Sequence, residues 1–298
     1  MQLAAAGRGG RRPVSTQYDI EHFLDEVVTL PSLPETVVRV TQMVENPECR
    51  LKEVAAVIAA DPALSLKTLR LVNSAYYGLG QHVTTLEHAV VLLGIKVIKN
   101  LALTATVFDA FKTGTSVFLR HSIACGALMR TLAESSAVAL SRHTNPDEAF
   151  VYGLLHDIGK VIIEEFLPAE TAKIPAVMRA RGVTWYEAER ALLGVDHAQV
   201  GARLAEKWKL APQLVHAIDS HHDLSRCADE SARVLAASVG VADYICGACG
   251  LHAAPEARYA PAEDIWALAG VRSETQPAIF QSFLDQYALV EELVSLAA

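Results

Sequence analysis

The chain has 298 residues, of which 51% are apolar, so it is long enough for one large or two small domains and too apolar to stay unfolded. A net charge of −8 argues against nucleic acid as the main partner, because neutralising phosphates needs clustered Lys and Arg. No uninterrupted apolar run approaches the roughly 18 residues of a membrane span, and five cysteines without a framework spacing point to reduced thiols in the cytoplasm.

Residues 1–17, with Arg8, Arg11 and Arg12 among Gly and Ala, read as a solvated tail. From Tyr18 the period is helical, with Ile20, Phe23, Leu24, Val27 and Val28 at spacings of three and four until Pro31. Further helices are expected over Glu35–Val44 and Leu51–Ala60. Asp61-Pro62 is an N-cap followed by Pro at the first helical position, which opens a helix ending near Asn73. Thr85 caps a helix to Leu93, Gly94 breaks it, and another run reaches Phe111.

A polar gap at Lys112-Thr113-Gly114-Thr115 is the expected subdomain boundary. Val117 to Ala139 reads as one long helix. Asn145-Pro146-Asp147-Glu148 combines a cap, Pro at N1 and Glu at N3. Helices continue through Asp196–Lys207, Ala211–Ser220 and Ser231–Cys249. Pro255 and Pro261 mark a loop before two last helices, one of them Phe280–Leu296. No alternating strand pattern and no repeat is found, so the fold class is all-α. Cys246 and Cys249 form an isolated CxxC and read as helix-packing cysteines.

The chemistry concentrates in the second half. His156-Asp157 ends an apolar helix, and imidazole nitrogen with carboxylate oxygen suits divalent metal. Gly159 is read as ending that helix, which lets the chain turn close to the site. His121, His197, the pair His221-His222, and Asp243 lie at helix ends or on otherwise apolar faces. Asp243, flanked by Val239, Val241, Ala242 and Ile245, needs a partner: a metal, or a helix cap or Arg. Lys160 is a candidate for neutralising phosphate charge, or else a surface lysine near a helix end that favours the dipole there. Asn73 and Ser74 either cap helix ends or, with Tyr77, form a surface for a protein or nucleotide.

The order His121, His156-Asp157, Asp243 resembles the metal signature of the HD superfamily of metal-dependent phosphohydrolases. The string His156-Asp157-Ile158-Gly159-Lys160, with His197 and His221-His222, is similar to its two-metal HD-GYP branch. In the first half, Asp61-Pro62-Ala63-Leu64, Leu69-Arg70-Leu71-Val72-Asn73-Ser74-Ala75, Tyr77-Gly78 and Leu92-Leu93-Gly94 resemble the HDOD domain, an HD-related output domain of bacterial signalling proteins. Gly194-Val195-Asp196-His197, Val200-Gly201 and Trp208 fit the same pattern. The resemblance runs from about Phe23 to Asp243.

It implies an N-terminal helical half at 18–114 packed on an HD-like bundle at 115–250, followed by a C-terminal helical extension at 251–298. It also implies one or two divalent transition metal ions, with iron, manganese, zinc and nickel all compatible. The expected ligands are His121, His156, Asp157, His197, His221, His222 and Asp243, with Asp157 as the bridge. Two departures stand out. No GYP follows the paired histidines, where the chain reads His221-His222-Asp223-Leu224-Ser225-Arg226, so cyclic-di-GMP hydrolysis is not expected. HDOD domains mostly lack catalytic residues, whereas this ligand set is nearly complete. The leading expectation is a regulatory module that acts on signalling proteins and retains a metal site. The alternative is a metal-dependent phosphohydrolase acting on a nucleotide or other phosphoester, so that the partner is a phosphorylated small molecule.

Overall fold

The computed structural model describes residues 33–44, 46, 48–110, 116–135, 137–251 and 261–297, and every regular element among them is helical. The expected tail, the helix from Tyr18, the boundary at 112–115, and Pro255 lie outside the described residues. No described helix is long and apolar enough to cross a membrane.

Among the described residues, five helices build the first half: α1 (Glu35–Val44), α2 (Leu51–Ala59), α3 (Pro62–Val72), α4 (Leu86–Leu93) and α5 (Ile95–Ala110). Local chemistry sets their ends. Asp61 accepts from Ala63 N and Leu64 N, each at 3.1 Å, and so satisfies orphan donors of α3. Thr85 does the same for His88 N at 3.2 Å. Gly94, at φ 84°, adopts a conformation costly for residues with a Cβ and separates α4 from α5. Val37, Val40, Val54, Ile58, Leu64 and Leu71 recur at helical spacing and are buried.

The second half holds α6 (Ser116–Glu134), α7 (Pro146–Leu155), α8 (Ile158–Phe166), α9 (Pro168–Thr171), α10 (Ile174–Arg181), α11 (Trp185–Leu193), α12 (His197–Lys207), α13 (Pro212–Ser220) and α14 (Glu230–Ala248). α15 (Glu263–Ala269) packs on α14, and α16 (Gln276–Ala297) lies along α6 and reaches α3 and α5. One hydrophobic core runs through both halves, from Leu33 to Val294.

Two sequence expectations need correction. The helix expected to reach Ala139 stops at Glu134. Val138 N–H donates to Ser135 O at 3.0 Å, and a 3-10 turn over Ala139–Arg142 carries Leu140 into the core. Gly159 does not end a helix; it is the second residue of α8. What it supplies is close approach. A Cβ there would lie 2.0 Å from His197 O and 2.7 Å from Gly201 N, so α8 and α12 are in backbone contact. Gly153 plays the same part between α7 and α6, where a Cβ would meet Cys125 O at 2.4 Å. At Gly240 on α14 a Cβ would meet His221 O at 2.7 Å.

Gly159→Ala is therefore expected to cost about 3 kcal/mol, the upper end of ordinary overpacking, and to lower Tm by roughly 5–10 °C. Gly80→Ala, where a Cβ meets nothing within 4 Å, is the control and should leave Tm nearly unchanged. Equal melting of the two variants by circular dichroism would refute the close-contact account.

Candidate metal centre

Five helical elements deliver seven ligand-type side chains to one buried region. His121 comes from the middle of α6, His156 and Asp157 from the α7–α8 junction, and His197 from the first residue of α12. His221 and His222 follow α13, and Asp243 comes from α14. His121, His156, Asp157, His197 and His221 are each no more than 2% exposed.

Asp157 divides the region in two. Its Oδ2 lies 3.4 Å from Nε2 of both His121 and His156. Those nitrogens are 3.4 Å apart, and Asp243 Oδ1 stands 3.2 Å and 4.0 Å from them. Its Oδ1 faces the other way, 3.1 Å from His197 Nε2 and 3.8 Å from His221 Nε2. His222 Nε2 lies 3.0 Å from His197 Nε2. Asp157 thus lies between two groups, His121, His156 and Asp243 with the nearby Cys125 on one side and His197, His221 and His222 on the other.

The outer nitrogens explain the orientation of the rings. Nδ1 of His121 donates to Leu251 O at 2.7 Å, that of His156 to Gly153 O at 2.7 Å, and that of His221 to Ile218 O at 2.6 Å. A carbonyl oxygen only accepts, so each Nδ1 carries the proton and leaves an Nε2 lone pair facing inward in the neutral ring. His197 Nδ1 instead meets Glu189 Oε2 at 2.6 Å.

These residues fit a divalent metal on three counts. Donors bonded at about 2.0–2.2 Å around a tetrahedral ion sit roughly 3.3–3.6 Å apart, close to the separations here. Asp157 Oδ1 and His221 Nε2 are buried with no hydrogen-bond partner, a costly state that a cation would relieve. The donor set of imidazole and carboxylate suits first-row divalent ions. Cys125 also lies near the first cluster. Its Sγ is 3.7 Å from Nε2 and 3.9 Å from Nδ1 of His121, so it flanks the ring of that residue.

The electrostatics follow the same division. Burial opposes charge on Asp157, but the flanking His156, Lys160 and His197 hold its carboxyl well below the usual range. Burial likewise opposes charge on Asp243, and His121 overrides it in the same direction. Burial and neighbouring imidazoles depress His221, and His222 further still. Burial also works against a charged His197, yet Glu189 and then Asp157 outweigh it and raise the group to about 9.

Lys160 is not at the surface. Its side chain is 11% exposed and its ammonium is paired with Asp157 Oδ2 at 2.5 Å. Sequence reading missed Glu189, which is 1% exposed; a Glu eight positions before a His carries no signal of contact.

Asn73, Ser74 and Tyr77 lie in the other half. Asn73 donates to Leu69 O and Val83 O and accepts from Val83 N, which staples the following loop to α3. Ser74 Oγ donates to Leu71 O at 2.7 Å. Tyr77 packs on Tyr76, with the Arg130 guanidinium 5.4 Å from its ring centroid. Asn73 and Ser74 also line a groove of about 390 Å³ with Leu66, Leu69, Val83 and Leu296.

A family model described as "HDOD domain" matches residues 30–224. Among solved structures, the chain is similar to an HDOD domain protein of unknown function from Geobacter sulfurreducens. That match has a TM-score of 0.69 and 26% identity, covering 93% of this chain and 94% of that one. A Shewanella amazonensis SB2B protein named "Putative phosphohydrolase" matches with a TM-score of 0.71 and 27% identity, over 95% of this chain and 100% of that one. A curated relative, an uncharacterized protein of Treponema pallidum (strain Nichols), is 26% identical over 214 residues, or 69% of this chain. The match covers 40% of that relative's length.

The Glu189–His197 pair gives the metal-free protein a pH signature. The folded pKa of His197 lies near 9 against an ordinary 6.5, so protonation favours the folded state. That stabilisation is complete below pH 6.5 and is lost as pH rises through 9. Denaturant titrations in chelator should show stability falling across this interval, with His121, where burial opposes charge but Cys125, Asp157 and Asp243 outweigh it and raise the group, contributing in the same sense. Flat stability across it would refute the charge pair. Metal-loaded protein should lack the fall, because a ligating imidazole is neutral.

Proposed function

Because the chain belongs to the HDOD domain family and gathers two groups of ligand-type side chains on either side of Asp157, we propose that it is a dinuclear metal-dependent phosphohydrolase acting on a phosphoester. The observation that carries the reading is the placement of Asp157, whose two oxygens face different histidine sets. His121, His156 and Asp243 would hold one ion, and His197, His221 and His222 the other. When bound, such ions supply the Lewis acidity that activates water and clamps a phosphoryl oxygen. Iron, manganese, zinc and nickel all suit the donors.

The protein's own groups have separable tasks. Asp157 holds the two halves of the centre at a fixed separation. Lys160 pins Asp157 Oδ2 and adds a positive charge where a phosphate would bind. The carbonyl-bound rings keep their donor nitrogens aimed inward without reorganisation.

Cyclic-di-GMP is not proposed as the substrate. The residues standing where GYP would follow are committed to structure. Asp223 accepts from Ser225 N at 3.2 Å and from Ser225 Oγ at 2.6 Å, and Arg226 pairs with Asp196 and Asp219.

The groove favours a second reading, a regulatory module that binds a signalling protein. Leu66 and Leu296 flank it at 55% and 36% exposure, and exposed apolar surface of this kind serves recognition. On this reading partner binding survives Asp157→Ala while the fold holds.

Elemental analysis of protein purified without a metal-affinity tag should find about two equivalents of transition metal. Asp157→Ala should lose both, and Asp243→Asn about one. Hydrolysis of p-nitrophenyl phosphate or its bis-ester should fall by at least about 100-fold in Asp157→Ala. Less than one equivalent after metal supplementation, or undiminished turnover in Asp157→Ala, would overturn the proposal.

A further inference from the structure

The segment between α8 and α12 supplies none of the seven ligands, yet its side chains brace the second cluster from outside. α10 and α11 share a small core of their own, with Ile174, Met178 and Ala188 buried beneath Val183 and Trp185. This unit reaches the centre through one face of α11. Tyr186 lies parallel to the His222 ring, with centroids 4.8 Å apart. Arg190 holds Asp196, the N-cap of α12, at 2.7 Å. Between them, Glu189 reaches His197.

Glu189 is a buried carboxylate with three donors converging on it. Its Oε2 accepts from the His197 backbone N–H at 2.8 Å and faces His197 Nδ1 at 2.6 Å. Its Oε1 accepts from Trp185 Nε1 at 2.8 Å. Both oxygens are therefore taken, and Glu189 is not itself a ligand. One oxygen that grips both the backbone and the ring of the same residue fixes the side-chain torsions of His197. Among the other histidines of the two groups, the three whose Nδ1 partner is described donate to backbone carbonyls. A carboxylate makes the opposite ring nitrogen a stronger donor than a carbonyl does.

We infer that Glu189 is the positioning residue of the second cluster. Carried on α11, it aims His197 Nε2 at Asp157 Oδ1. Filling of the His197, His221 and His222 site then depends on this contact, while filling of the His121, His156 and Asp243 site does not. The inference rests on the metal reading above.

The test titrates metal-stripped protein with Mn²⁺ or Zn²⁺ by calorimetry, checks stoichiometry by elemental analysis, and records the Co²⁺ absorption spectrum as a reporter of ligand geometry. Wild type should fill two sites. With the proton that His197 releases on binding accounted for, Glu189→Gln should fill the first as wild type does and bind the second about 10–100-fold more weakly, the usual loss for such outer partners. Trp185→Phe removes the third donor and leaves the carboxylate on His197, so it should lower Tm while keeping both sites. Should Glu189→Gln fail to fold, Glu189→Asp, which withdraws the charge by one methylene, must show the same selective loss.

Equal affinities at both sites in wild type and Glu189→Gln would overturn the inference and leave the dinuclear reading standing. Loss of both sites together in Glu189→Gln, or loss of the second site in Trp185→Phe, would show a packing role and overturn it as well. Wild type that binds no metal would overturn the dinuclear reading and this inference with it.

Discussion

Asp157 is a carboxylate with no solvent exposure, and the second half is arranged around that fact. An isolated buried anion is among the costliest features a protein can hold, and it persists only where opposite charge or donors surround it. Here the surroundings come from α6, α7, α8, α12 and the end of α13, each of which brings one charged or imidazole group to within 4 Å of the same carboxylate. Lys160 provides one permanent positive charge. Asp157 Oδ1 and His221 Nε2 remain buried without a hydrogen bond, a cost that a bound cation would relieve.

Such convergence requires helices closer than ordinary side chains permit. Gly153, Gly159 and Gly240 sit at the three crossings that bring ligand-bearing helices together, and at each a Cβ would collide with a neighbouring backbone. Packing and chemistry are thus the same constraint seen twice. The backbone contact that brings α8 to α12 also sets the separation of Asp157 from His197.

The first half stands apart from this chemistry but not from the core. α16 runs along α6 and touches α3 and α5. Glu292 on α16 accepts from Ala75 N at 3.0 Å, and Arg130 on α6 stacks over Tyr76 and Tyr77. The groove beside Asn73 and Ser74 lies where this last helix meets α3.

The all-α class, most helix ends and the kinds of ligand atom were legible from local chemistry. Asp61-Pro62, Thr85, Gly94 and Asn145-Pro146 act on backbone groups within four residues, so their effect needs no tertiary context. Where the end of α6 depended on Leu140 turning into the core, the periodicity overran it. The order of histidines and aspartates picked out side chains that the fold brings together, because the capacity to ligate resides in residue type. Which donors share a cluster, that Lys160 turns inward to Asp157, and that Glu189 grips His197 were decided by the packing of helices distant in sequence. Spacing along a chain fixes the face of one helix. The distance between two side chains on different helices is set only when the backbones between them are in contact.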